Sequence, residues 1–388
     1  QTLFYALFLL CFTGLLGVTI TGDAFNVFVF LEISSLSTYV LIAQGAHRDK
    51  RALTASYNYL IMGTIGATFF VIGVGFLYMA TGTLNMADLA DRIENQYDSR
   101  TVRAAFAFIM VGMGLKVAIF PLHLWLPNAY TYAPSAITSF LAATATKVAI
   151  YVMLRFLFSV FQPGFLAEVP TLDLLLYPFA ILAMFAASYT AILQHDLKRM
   201  LAYSSIGQVG YMLLGVALLS KSGLMATMIH LFNHGITKAA LFMGVGVYVL
   251  NGGGSFYHNL RGRGKTMPWT SAAMVVAGLS LIGVPGTAGF LSKWLLVEAA
   301  LAQGMWPIAL LIVASSLLAV IYVWKLIETL YLAQPAEGLQ DQNVPLVMMI
   351  PLWVMALACI YFGFDTDITL SAARSAAEGL LAGSAGMR

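Results

Sequence analysis

The stretch GLKVAIFPLHLWLPNAYTYAPSAIT, residues 114–138, decides the fold class. It is almost wholly apolar, yet it carries one lysine, Lys116, and three prolines, Pro121, Pro127 and Pro134. Upstream the apolar run reaches back to residue 103, so a helix of membrane-crossing length runs into Pro121 and Pro127. Proline has no backbone donor and clashes with the preceding turn. In lipid such a break survives only where it is packed in protein or lines a wet cavity. The stretch therefore reads as a discontinuous membrane helix with a cation beside its break.

The composition of the whole chain agrees. Of 388 residues, 60% are hydrophobic and 10% charged, with a mean hydropathy of +0.85. A soluble domain carries about 25% charge, and disorder is incompatible with 25 Phe and 18 Tyr among long aliphatic runs. The two cysteines, Cys11 and Cys359, lie in apolar runs, which leaves no disulfide framework or zinc site. The net charge of +3 gives no footprint for nucleic acid. The fold class is all-α, a polytopic membrane protein.

A bilayer core of about 30 Å needs about 20 apolar helical residues. Apolar runs give eleven candidate spans, roughly 2–20, 24–43, 54–80, 103–127, 134–161, 173–193, 200–219, 222–250, 268–303, 307–332 and 344–363. The ninth also hides a break, at GVPGTAG around Pro285. Short loops carrying Arg48, Lys50 and Arg51, then Lys198 and Arg199, then Arg261, Arg263 and Lys265, define the cytoplasmic face. Asp88, Asp91, Glu94, Asp98, Glu168, Asp173, Asp365 and Asp367 fall on the other face, which puts the C-terminus outside. Segment 366–384 reads as a helix lying on the membrane surface.

Spans one to five (2–161) and six to ten (173–332) form two five-helix blocks, followed by the last span and tail (344–388). Lys116 and Lys293, Pro134 and Pro307, and Lys147 and Lys325 correspond between the blocks at offsets of 173 to 178 residues. Five spans per block make the repeat an inverted one, a transporter feature.

Ionisable groups near span centres are costly, roughly 2.5–3.5 kcal/mol each on insertion scales, and are usually functional. Here they are Glu32, Lys116, Lys147, Lys238 and Lys293, with His230 and His234. They point to a polar file at mid-depth, with Glu32 and Lys116 as the natural pair. A close carboxylate favours a charged lysine, and its withdrawal favours proton release. The alternative is a static ion pair holding helices together. His230, His234 and Lys238 share one helical stripe at i, i+4 and i+8, and histidine shuttles protons near neutral pH. Metal or haem ligation is the rival reading of the two histidines, but no Cys or acidic ligand accompanies them. A structural hydrogen bond is the rival for His230. Lys325 and Arg155, near span ends, read as snorkelling side chains. The loop RGRGKT (261–266) mimics the end of a phosphate-binding P-loop, but Asn259 replaces the first glycine and no strand precedes it, so nucleotide binding is rejected.

Several motifs together resemble one family. FLEISSLSTYVLIA around Glu32, the opening stretch around Lys116, TKVAIYVMLRF around Lys147, HDLKRMLAYSSIGQVGYM, HLFNHGITKAALF and GVPGTAGFLSKW are similar to the antiporter-like membrane subunits of respiratory complex I, related hydrogenases and Mrp-type cation/proton antiporters. The resemblance runs over nearly the whole chain. It implies a fourteen-helix fold of which these spans are the last eleven, with three helices ahead of Gln1. It implies that Glu32 modulates Lys116, that Lys147 is the central connecting lysine, and that His234 and Lys238, with His230 beside them, bridge to a second half-channel ending at Lys293. Within the family, lysine at 293 and the lack of a long lateral C-terminal helix make the pattern most similar to D-type subunits of Mrp Na+/H+ antiporters, with complex I subunits second. The implied partners are other membrane subunits of one hetero-oligomeric complex, protons, Na+ and lipids, in a bacterial inner membrane. No cofactor, metal or catalytic chemistry of the chain's own is implied. A stand-alone secondary transporter and a structural scaffold are the rival classes.

Overall fold

The computed structural model describes residues 2–169, 171–252, 254–334 and 344–382, with the side chains of 171–174 outside the description. Asp173, placed by sequence on the acidic face, is among those side chains, and the tail expected after residue 382 also lies outside the described residues. Among the described residues the chain is helical, with two isolated β-bridges as its only extended pairing.

Eight of the helical stretches are long and apolar enough to cross a membrane. They contain α1 (Thr2–Ile20), α2 (Ala24–Ala43), α3 (Arg51–Thr81), the consecutive pieces α6 (Ser135–Ala143) and α7 (Ala145–Leu154), α8 (Thr171–Leu193), α9 (Leu197–Ala217), α13 (Trp306–Ile327) and α14 (Leu346–Phe364). The remaining expected spans are interrupted or more polar. They are α4 (Arg100–Val117) with α5 (Trp125–Tyr132), the thirty-residue α10 (Lys221–Leu250), and α11 (Pro268–Ile282) with α12 (Ala288–Ala302). A last helix, α15 (Asp367–Leu381), covers the segment expected to be helical after the final span.

Both expected breaks are present, and each is closed by identifiable bonds. α4 ends at Ala118, which takes the left-handed conformation (φ 62°). Trp125 Nε1 donates to the Leu115 carbonyl at 2.9 Å, which also accepts from the Ala118 N–H at 3.2 Å. Pro121 lies in the break, whereas Pro127 sits in the first turn of α5, where a missing N–H costs nothing. α11 ends at Gly283 (φ 89°), a conformation that disfavours a side chain. A third interruption lies at Thr144, where the sequence reads as one continuous span. There the Thr144 hydroxyl bonds back to the Phe140 carbonyl at 2.8 Å, a local competition that bends helices.

The chain divides into two compact units: Gln1–Pro134, Ala145–Leu175 and Ser375–Arg388 form the first, and Ser135–Thr144 with Leu176–Arg374 the second. The half-helix α6 thus packs with α10 in the second unit, although the sequence blocks assign it to the first. Gly235 makes room for it, since a Cβ there would lie 3.2 Å from the Ala143 carbonyl oxygen. In the first unit α3 and α4 approach through Gly66 and Gly112, where a Cβ on Gly66 would sit 3.1 Å from the Gly112 carbonyl oxygen. Small residues of this kind let membrane helices pack backbone to backbone.

One arrangement occurs in both units. Asp23 caps α2 by accepting from Asn26 N (2.8 Å), and Asp196 caps α9 by accepting from Arg199 N (3.0 Å). Each cap residue forms an antiparallel bridge, Asp23 with Asn85 and Asp196 with Phe256. The flanking bonds match: Ala24 N to Leu84 O and Met86 N to Gly22 O in one unit, Leu197 N to Ser255 O and Tyr257 N to His195 O in the other.

A second shared device corrects the snorkelling reading. Arg155 donates to the Thr21 carbonyl (2.7 Å) just past the end of α1, helped by Tyr151 on Thr19 (3.0 Å). Lys325 donates to the Ile192 and Gln194 carbonyls (3.0 and 2.8 Å) at the end of α8. Both cations satisfy the orphan carbonyls of a helix C-terminus and meet its partial negative charge. By role, then, Lys325 corresponds to Arg155 rather than to Lys147. Replacing Lys325 with Met should lower the thermal stability of the assembled protein by about 1–3 kcal/mol, while Lys325→Arg should retain most of it; thermal inactivation of purified material reads the difference.

Candidate functional site

In the first unit the break in α4 brings Lys116 to α2. Its Nζ lies 3.3 Å from Glu32 Oε1 and donates to Ser35 Oγ at 2.7 Å. The lysine side chain is 9% exposed and the glutamate 21%, so the pair is largely withdrawn from solvent. Three features fix this geometry. Glu32 and Ser35 are one turn apart on α2, the Gly66–Gly112 contact holds α4 against α3, and Trp125 stacks edge-on against Tyr59 (5.1 Å) while capping the break. Lys147 belongs to the same unit. It is buried on α7, three residues past the Thr144 interruption, with Nζ 3.3 Å from Thr146 Oγ1.

The second unit gathers the other expected residues around α10 and the break between α11 and α12. His230 Nδ1 is 2.7 Å from Ser292 Oγ on α12, so the structural hydrogen bond considered for this residue does exist. The rings of His230 and His234 lie parallel with centroids 6.1 Å apart. Lys238 is fully buried and donates to Ser204 Oγ (2.5 Å) and to the Leu201 carbonyl (2.8 Å) of α9. Lys293 donates to the Leu281 and Ile282 carbonyls (3.2 and 2.8 Å) at the broken end of α11, and its ammonium lies 4.8 Å from the centre of the Tyr211 ring. Such an arrangement gives an ammonium two acceptors and a π-face.

Sequence reasoning did not name Ser35, Ser204, Ser292, Tyr211 or Asn233. Asn233 is buried and donates to the Ala288 carbonyl at 2.6 Å, where α12 begins. It had a legible signal: His230, Asn233, His234, Thr237 and Lys238 recur at i, i+3, i+4, i+7 and i+8, one polar stripe in an apolar helix. Thr237 completes it, 3.0 Å from Ser280 of α11. The serines carry no such pattern, because each meets its partner only across a helix–helix contact. Among the described residues no three His, Cys, Asp or Glu side chains come together as a metal site.

These residues are buried cations and imidazoles set among hydroxyls and carbonyls, with Lys116 and Lys293 beside helix breaks and Lys238 against the unbroken α9. Residues 21–319 match the family described as NADH:quinone oxidoreductase/Mrp antiporter, TM. The chain belongs to this family. It is 42% identical over 384 residues to the N-type subunit of the NADH-quinone oxidoreductase of Desulforudis audaxviator, a match that covers 96% of the chain and 76% of that protein. It is 31% identical to the D-type subunit of the Na(+)/H(+) antiporter of Alkalihalophilus pseudofirmus, over 94% of the chain and 73% of the relative. Among solved structures, an archaeal respiratory membrane complex, the membrane-bound sulfane sulfur reductase, contains a chain that superposes with a TM-score of 0.87 at 34% identity, covering 98% of this chain and 76% of that one. The protein is an integral membrane, antiporter-like subunit.

The geometry at Lys116 gives a specific expectation. Ser35→Ala removes the shorter of its two polar contacts while leaving the Glu32 charge, and a hydrogen bond to a charged group is worth about 1.5–3 kcal/mol. Ser35→Ala should therefore lower the thermal stability of the assembled protein by about 1.5–3 kcal/mol, with Ser35→Thr restoring it. An unaltered melting temperature would show that the Ser35 contact contributes nothing to holding Lys116.

Proposed function

We propose that this chain translocates protons as one antiporter-like subunit of a multisubunit membrane complex. The observation that carries the reading is Lys116, placed at a broken membrane helix, withdrawn from solvent and within 3.3 Å of the Glu32 carboxylate. Isolated charges at this depth are expensive, and a close carboxylate makes the charged lysine tolerable. Lengthening that contact favours release of the proton, so a change in the Glu32–Lys116 distance gates transfer. In the proposed order the proton passes Lys116 and Lys147, then His234 and Lys238 with His230 beside them, and leaves by Lys293. The two five-helix blocks act as the two half-channels, and the basic loops set the C-terminus on the outer side of a bacterial inner membrane.

The driving force divides the family. The 42% identity with the N-type subunit of an NADH-quinone oxidoreductase, and the likeness to a respiratory reductase complex, favour coupling to a redox arm. The lower identity, 31%, with the D-type subunit of an Na(+)/H(+) antiporter supports the Mrp-type sodium/proton exchange that lysine at position 293 suggested. Purifying the native complex separates them: co-purifying chains with flavin and iron–sulfur absorption mark the redox-linked assembly, and only small colourless membrane subunits mark the exchanger.

Proton translocation itself is tested in inverted vesicles containing the assembled complex. Lys116→Ala should abolish the formation or dissipation of a pH gradient that depends on the complex. Full activity with normal assembly would overturn the proposal.

A further inference from the structure

The loop between α10 and α11 holds Arg263 in surroundings that fit a cation poorly. Arg263 is 3% exposed, on the short helix Arg263–Thr266, and none of the ion pairs formed among the described residues includes it. Its best partners are the Asn251 carbonyl at a long 3.4 Å and the Met267 thioether at 3.7 Å. Among the described residues Nε has no acceptor. The Asn251 Nδ2 donor and the Thr266 hydroxyl are likewise buried with no partner among the described residues. A guanidinium has five N–H donors in a fixed fork, and a buried charge normally recruits a counter-charge because leaving it unpaired is strongly unfavourable. Arg263 Nε and Asn251 Nδ2 are obligate donors and the Thr266 hydroxyl can donate, so an oxyanion is the one class of ligand that all three could accept as a partner.

The loop is built to hold that position. Gly262 takes the left-handed conformation (φ 70°), its N–H bonds the Thr329 carbonyl at 3.0 Å, and a Cβ on Gly264 would stand 2.7 Å from the Leu330 carbonyl oxygen. The loop is therefore pinned to the helical turn Glu328–Leu332 that follows α13, and Arg263 is buried while Arg261 and Lys265 on either side stay exposed. Basic pockets at the ends of membrane helices are suited to anionic headgroups, and the arginine fork matches phosphate oxygens. The sequence resemblance of RGRGKT to a P-loop has no bearing on a nucleotide, yet the same residue types suit a single phosphate.

We propose that Arg263, with Asn251 and Thr266, binds a phosphate oxyanion, carried by the headgroup of an anionic phospholipid. The proposal is independent of the proton path. It is tested on the delipidated native complex by thermal stability after adding phosphatidylglycerol, phosphatidylcholine or inorganic phosphate. Phosphatidylglycerol should raise the melting temperature of the wild type by several degrees where phosphatidylcholine does not. Arg263→Gln and Asn251→Leu should each abolish or sharply reduce that shift, while Lys50→Gln, on another basic loop, should keep it. An equal response to inorganic phosphate would uphold the oxyanion site and assign it a soluble source. Should Arg263→Gln fail to assemble, Asn251→Leu decides the matter. A wild-type response in the variants, or no response in the wild type, would overturn the site.

Discussion

A lysine ammonium placed inside a bilayer must find acceptors for its N–H groups from the protein, because lipid offers none. That demand accounts for much of this molecule's irregular backbone. Lys293 is held by the two carbonyls that α11 leaves unpaired when it stops at Gly283. Lys238 takes a carbonyl and a hydroxyl from α9, and Lys325 takes the carbonyls at the end of α8. A continuous helix would keep the α11 and α8 carbonyls for itself, whereas Leu201 lies inside the unbroken α9 and shares its carbonyl with Lys238. The breaks, the helix ends and the buried cations are three aspects of one constraint.

The two units meet the constraint differently. In the first, Lys116 has a carboxylate and a serine, so charge is balanced within a few ångströms. In the second, Lys238 and Lys293 rest on backbone carbonyls, hydroxyls and the Tyr211 ring. Carbonyl oxygens, hydroxyls and a ring face can each receive an ammonium, so the second unit solvates its lysines with dipoles where the first uses a charge. The twin caps at Asp23 and Asp196, each joined to a bridge with the same backbone bonds, are one local device that these unlike units have in common.

Much of this was legible in the sequence, for reasons that can be stated. Pro285 between glycines and Pro121 after Lys116 mark breaks because proline and glycine act locally. The stripe from His230 to Lys238 is legible because helical period is local too. Glu32 and Lys116 could be matched because so few charges were available to pair. What escaped the reading depends on neighbours far away in sequence. The interruption at Thr144 carries the same back-bond that Thr68 and Thr190 make inside unbroken helices, so nothing local in the sequence marks it. Arg155 and Lys325 look like snorkelling residues until the ends of α1 and α8 are seen beside them. Ser35, Ser204 and Ser292 are unremarkable serines until a lysine or histidine from another helix reaches them.

The central claim is that the Glu32–Lys116 contact changes during turnover. Infrared difference spectroscopy on the native complex carrying carbon-13-labelled glutamate, recorded with and without an imposed driving force, observes that contact directly. The account predicts a shift in a labelled carboxylate band that vanishes in Glu32→Gln. A labelled spectrum identical in the two conditions, from a complex that is actively moving protons, would contradict it.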